Sequence, residues 1–166
     1  MSATERAPTE MQRLSVLIAV NLVDMIGLML VLPILPFYAG DLGASPERIG
    51  LLIAAFSVAQ LIAAPFWGRL SDRIGRRPVL VIGLSASAIA YVVFGFATTV
   101  WLLFVSRLVQ GAGGGTTGVT QAYVADTVRP KDRAKALGWL SASTNVGVTL
   151  GPIIGAFATQ IDRSAP

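Results

Sequence analysis

A chain of 166 residues that is 54% hydrophobic and only 13% charged has too few polar side chains to cover a soluble core, because soluble domains carry about 25% charged residues. Cys and His are both absent, which removes structural disulfides and the usual zinc and copper ligand sets, so neither a metal site nor a cofactor is expected. The formal charge of +4 would suit nucleic acid, but at a mean hydropathy of +0.68 arginines in loops serve to orient a protein in its lipid bilayer, and no nucleic-acid partner is expected.

The first 13 residues, MSATERAPTEMQR, are polar and of mixed charge, and read as a cytoplasmic tail. The apolar run after them is about 24 residues long, beyond the roughly 7–15 of a cleaved leader, and reads as a retained span. Five segments reach the length a bilayer demands: 14–38, 48–69, 78–98, 100–124 and 136–160. Together they make an all-α membrane bundle over 14–160, with IDRSAP, 161–166, as the start of a linker. Only Ala97, Thr98 and Thr99 separate the third segment from the fourth, with Trp101 as an interfacial anchor. One unbroken helix there would be ~70 Å long, over twice the hydrocarbon thickness, so a tight hairpin is expected. Ten of the thirteen Lys/Arg lie in the N-terminal tail and in the second–third and fourth–fifth gaps, which places the N-terminus in the cytoplasm.

Charges inside the spans carry the chemistry. Asp24 sits ~15 Å into the first span, near mid-bilayer. An ionisable group there costs roughly 2.5–3.5 kcal/mol and usually marks a substrate or proton path. Burial and a neighbouring guanidinium would pull its proton affinity in opposite directions, and a group so poised can load and release a proton. The alternative is that Asn21, one turn back, merely shields it. In the fourth span Arg107, Gln110, Gly114, Thr117 and Gln121 follow i, i+3, i+7, i+10, i+14, a single polar stripe. With Ser57 and Gln60 of the second span, this suggests a water-accessible cavity lined by spans one, two and four. The alternative for Arg107 is that it snorkels to the outer interface. The glycines of GAGGGTTG, 111–118, lack the strand and the acidic residue of a dinucleotide site, and small-residue helix packing explains them better. Gly147, Gly151 and Gly155 form a similar ridge on the fifth span, and Pro152 is expected to kink it.

The second–third gap reads GRLSDRIGRR, 68–77. Gly68 and Gly75 permit a close turn, and Asp72 stands four residues before Arg76, the spacing of an ion pair if the turn stays helical. This stretch resembles the loop 2–3 signature of the major facilitator superfamily. Arg107-Leu-Val-Gln110-Gly111 is similar to that family's second motif, and Tyr123-Val-Ala-Asp126 with Arg133 and Gly138 to the helix 4–5 junction of drug:proton antiporters. Gly147-x-x-x-Gly151-Pro152-x-x-Gly155 resembles the antiporter motif of helix 5, and Asp24-x-x-Gly27 with Pro33 and Pro36 the helix 1 signature of twelve-span tetracycline and multidrug exporters.

The resemblance implies a transporter rather than an enzyme, and an incomplete N-terminal six-helix half of a major facilitator fold, with C-terminal helices needed for a complete protein. It implies export of a drug or other small amphipathic molecule against protons across the cytoplasmic membrane. Asp24 and Arg107, with Asn21, Gln60, Gln110 and Gln121, would serve proton coupling and substrate contact. Asp72, Arg73, Arg76 and Asp126 would form a cytoplasmic charge relay. Tetracycline exporters carry an aspartate in helix 3 where this chain has Ala90, which counts against tetracycline as the substrate. The rival expectation is a truncated chain without transport, or a small membrane interaction protein.

Overall fold

Backbone N–H and C=O groups find no partner in hydrocarbon, so a chain this apolar crosses a bilayer as helices that satisfy their own hydrogen bonds. The computed structural model describes the backbone of residues 3–163 and the side chains of 14–157. Its elements are α1 (Ala3–Asp41), α2 (Pro46–Ile74), α3 (Arg76–Gly95), α4 (Val100–Gly114), α5 (Thr117–Thr127) and α6 (Pro130–Arg163). Among the described residues, four stretches are long and apolar enough to span a membrane: Leu14–Asp41, Pro46–Ile74, Arg76–Gly95 and Pro130–Phe157.

The fifth expected span, 100–124, is the chief departure. The chain follows that path but breaks at Gly115 and Thr116, giving helices of 15 and 11 residues. The other limits shift by a few residues. α1 continues back through the polar tail to Ala3, and α6 runs to Arg163, so only residues 164–166 of the expected linker lie outside the described residues. Pro152 is carried within an uninterrupted α6.

Short local signals set the helix ends. After α1, Ala44 N–H bonds to Ala39 C=O at 2.9 Å and Gly43 N–H to Gly40 C=O at 2.8 Å, a Schellman closure that needs the positive φ of Gly43, +78°. Ser45 then caps α2 ahead of Pro46, and Thr99 caps α4 by accepting from Leu102 N–H at 3.2 Å, which closes the expected tight hairpin. A single residue, Gly75, joins α2 to α3 at φ +94°, a backbone that side chains rarely adopt. Gly68, by contrast, lies inside α2 with open space around it, so the close turn expected of both glycines belongs to Gly75 alone.

The helices form two compact units, 34–120 and 1–33 with 121–166. In the first, α4 packs on both α2 and α3 around Leu52, Val79 and Leu103, all buried. Tyr38 reaches across to donate to the Ala97 carbonyl at 2.6 Å, with its ring edge-on to Phe94. Large apolar side chains such as Leu61, Ile62, Phe66 and Phe96 face outward, as a lipid-facing surface requires. In the second unit, Val124, Ala136 and Leu140 form a core with Leu14 and Leu17. Beyond it α1 and α6 approach backbone to backbone. A Cβ on Gly147 would meet Met25 Cβ at 2.6 Å, one on Gly151 the Ile26 carbonyl at 2.9 Å, and one on Gly155 the Leu30 carbonyl at 2.9 Å. This is the small-residue ridge by which helices associate in lipid.

Gly151→Ala should therefore destabilise the detergent-solubilised chain by about 1–3 kcal/mol through overpacking and lower its thermal midpoint. Gly138 has nothing within 4 Å of its would-be Cβ, so Gly138→Ala should raise the midpoint or leave it unchanged. Equal losses from both substitutions would contradict the close α1–α6 contact.

Candidate functional site

The most deeply buried polar side chains are those of the broken span. Arg107 and Gln110 on α4 are each 1% exposed, so Arg107 does not snorkel to the surface. Its guanidinium lies 5.0 Å from the Phe94 ring centroid and 5.9 Å from that of Phe56, close enough for cation–π attraction to both. Even so, Arg107 Nε and Nη2 and both amide atoms of Gln110 meet no hydrogen-bond partner. Four such atoms within one helical turn are unusual, since buried polar groups are nearly always satisfied.

The break itself is satisfied from α2. In an unbroken helix the Ala112 carbonyl would accept from Thr116 N–H, but that N–H turns to Gly113 C=O at 3.2 Å. Ala112 C=O keeps Gly115 N–H at 3.3 Å and adds the Trp67 indole N–H at 2.6 Å, and Gly114 C=O takes the Gln60 amide at 3.2 Å beside the Thr117 hydroxyl at 3.0 Å. Glycines make this approach possible. A Cβ on Gly111 would collide with the Phe56 carbonyl, one on Gly113 with Ser87 Oγ, and one on Gly115 would stand 3.0 Å from Ala64 N. Gln60 is thus committed to a backbone carbonyl rather than to an open cavity, and Ser57 is exposed. The expected stripe is divided likewise: Arg107 and Gln110 are buried, while Thr117 and Gln121, past the break, are exposed.

At the other end of α2, Asp72 and Arg76 form an ion pair of 2.8 Å across the Gly75 link. Arg76 Nη1 also donates to Ser71 Oγ, and Ser71 is 2% exposed, so the pair is anchored to the helix end rather than free in solvent. Arg73 is exposed.

In the other unit, the Asn21 amide donates to Ser143 Oγ and Thr144 Oγ1, each at 2.9 Å, a polar joint between α1 and α6. Asp24 follows one turn along α1, half-buried, and Asp126 is exposed on α5. Gly147, Gly151 and Gly155 make the ridge already described, with Pro152 half-buried beside it. Among the described residues, no group of three or more His, Cys, Asp or Glu could hold a metal ion.

Several participants were not singled out by sequence: Trp67, Ser71, Ser87, and the Ser143–Thr144 pair. Trp67 carried a usable signal, because Phe56, Gln60 and Trp67 stand at i, i+4 and i+11 on one face of α2, opposite a glycine run.

Apolar helices that fold arginine, glutamine and asparagine side chains inward define a multi-pass α-helical membrane protein. The chain belongs to the major facilitator superfamily, a family of membrane transporters, whose sequence profile matches residues 17–162. It is 38% identical over 152 residues to the Tetracycline resistance protein, class B, of Escherichia coli, covering 90% of this chain and 38% of that protein. Multidrug resistance protein 1 of Bacillus subtilis is 36% identical over 155 residues, covering 92% of this chain and 40% of that protein. The Quinolone resistance protein NorA of Staphylococcus aureus is 36% identical over 143 residues, covering 85% and 37% respectively. The chain spans between 37% and 40% of the length of these relatives.

Trp67→Phe keeps the aromatic volume but removes the indole donor. Amide hydrogen exchange over 112–120 should accelerate, with a stability loss of about 1 kcal/mol. Unchanged exchange would mean that Trp67 does not hold the break.

Proposed function

We propose that this chain is the amino-terminal part of a proton-coupled antiporter that exports drugs or other small amphipathic molecules across the cytoplasmic membrane. One observation carries the reading: Arg107 and Gln110 are buried in an apolar span with donors and acceptors unmet, in a chain matched to resistance proteins. A fold that tolerates unsatisfied polar atoms at such depth is reserving them for something that comes and goes.

In this reading Asp24 carries the proton, and Arg107 and Gln110 meet substrate or coupling charge. Gln60 and Asn21 act at one remove, by holding α4 and α6 in place through the bonds described above. The Asp72–Arg76 pair on Ser71 is the fixed part of a cytoplasmic relay, and family likeness gives Arg73 and Asp126 the same role. Ala90, buried on α3 where tetracycline exporters carry a carboxylate, favours a multidrug substrate range over tetracycline. Gln121, exposed on α5, is the weakest member of the substrate set.

The orientation rests on the distribution of arginine and lysine. The chain has no native cysteine, so single cysteines at Ala44 and at Arg73 report topology cleanly. An impermeant thiol reagent applied to intact cells should label the Ala44 site and spare the Arg73 site, and the reverse pattern would overturn the orientation.

Coupling is tested by Asp24→Asn in the full protein that carries this chain. The amide is nearly isosteric and cannot exchange a proton, so substrate-induced proton release in detergent should disappear while some substrate binding survives. Release equal to the parent's would remove Asp24 as the coupling group. Asp72→Asn should impair transport without impairing membrane insertion, because every arginine that sets orientation remains. Normal transport by that variant would exclude the relay.

A further inference from the structure

At the end of the 34–120 unit away from Gly75, the first turns of α2 and α4 lie side by side and enclose a groove of about 270 Å³, lined by Arg48, Leu51, Leu52, Val100, Trp101 and Phe104. We propose that this groove binds an anionic phospholipid, with its phosphate on Arg48 and its glycerol and upper acyl chain along the apolar wall.

The order of chemistry along the helices matches such a molecule. Arg48 and Trp101 stand in the first turns, at the depth where cations and indoles gather at a membrane interface. One turn deeper come Leu51, Leu52 and Phe104, with the Trp101 ring stacked on Phe104 at 5.6 Å and 20° between planes. Trp101 is 70% exposed and Leu51 62% exposed, an apolar surface suited to acyl chain and costly in water.

Charge selects the headgroup. Among the described residues the Arg48 guanidinium has no ion-pair partner, and no carboxylate lines the groove. Glu47 is adjacent in sequence, and successive residues on a helix do not face each other. A zwitterionic lipid would bring a second cation toward Arg48, whereas an anionic lipid leaves its phosphate to the guanidinium. Free phosphate fits less well. The helix starts are already capped, with Arg48 N–H on Ser45 Oγ and Leu102 N–H on Thr99 Oγ1, so a small anion would find one side chain over an apolar floor. The proposal is independent of substrate and coupling.

The test reconstitutes the chain in phosphatidylcholine vesicles containing increasing fractions of brominated phosphatidylglycerol, or of brominated phosphatidylcholine as control. Trp101 emission is read as the difference between parent and Trp101→Phe. Quenching by the brominated anionic lipid should saturate at a low fraction, with about a fivefold preference over the zwitterionic control, the effect of roughly 1 kcal/mol from one interfacial cation. Arg48→Gln, an exposed substitution that leaves the fold intact, should bring the preference close to one. Quenching proportional to bulk content for both lipids, or a preference that survives Arg48→Gln, would overturn the proposal. So would release of the bound lipid by excess inorganic phosphate, which would mark a free-anion site. Absence of quenching by either lipid would overturn it too, as it would mean that protein covers the groove.

Discussion

A guanidinium buried among apolar helices must be stabilised by the protein or by what the protein carries, because the bilayer offers it nothing. Arg107 receives two aromatic faces and no hydrogen bond at Nε or Nη2. Cation–π contacts contribute up to about 2 kcal/mol each when desolvated, against a burial penalty of several kcal/mol for an ion. The two contacts are of the same order as that penalty, and two of the guanidinium nitrogens still meet no hydrogen-bond partner. The surrounding structure is arranged to hold this group in place all the same: α4 is clamped between α2 and α3 by glycines that no larger residue could replace without a collision, and its broken end is capped by Trp67 and Gln60.

The same clamp explains why the span breaks where it does. Gly111, Gly113 and Gly115 bring α4 so close to its neighbours that the backbone itself becomes the packing surface, and side chains of α2 then compete for its carbonyls. Past Thr116 the constraint relaxes, since a Cβ on Gly118 would meet nothing within 4 Å. A break in a membrane helix is tolerated only where neighbouring side chains re-satisfy the freed groups, and Trp67 at 2.6 Å from Ala112 C=O does this. In the other unit a glycine ridge brings α1 against α6, and the Asn21 joint fixes their register. Glycine thus positions both sets of polar residues.

Much of this was legible in the sequence, for physical reasons. Apolar length marks spans because the bilayer sets a minimum, and α1, α2, α3 and α6 follow it to within a few residues apart from the helical tail of α1. The Asp72–Arg76 pair and the glycine ridge were readable because both rest on short, fixed spacings. The break at Gly115–Thr116 was not, since the periodicity from Arg107 to Gln121 runs through it undisturbed and its cause lies in α2, some 45 residues away in sequence at Trp67. The bonds that hold Gln60, expected to line a cavity, and Asn21, expected to shield Asp24 or serve coupling, were hidden for the same reason: their partners are distant along the chain.

If Arg107 is kept to meet substrate or coupling charge rather than for stability, removing its charge should cost the fold nothing. The thermal midpoint of Arg107→Met in detergent tests this directly, because methionine fills a similar volume without a charge to desolvate. The account predicts a midpoint equal to or above the parent's. A midpoint lower by several degrees would contradict it, and would make Arg107 a structural cation whose burial the helices already satisfy.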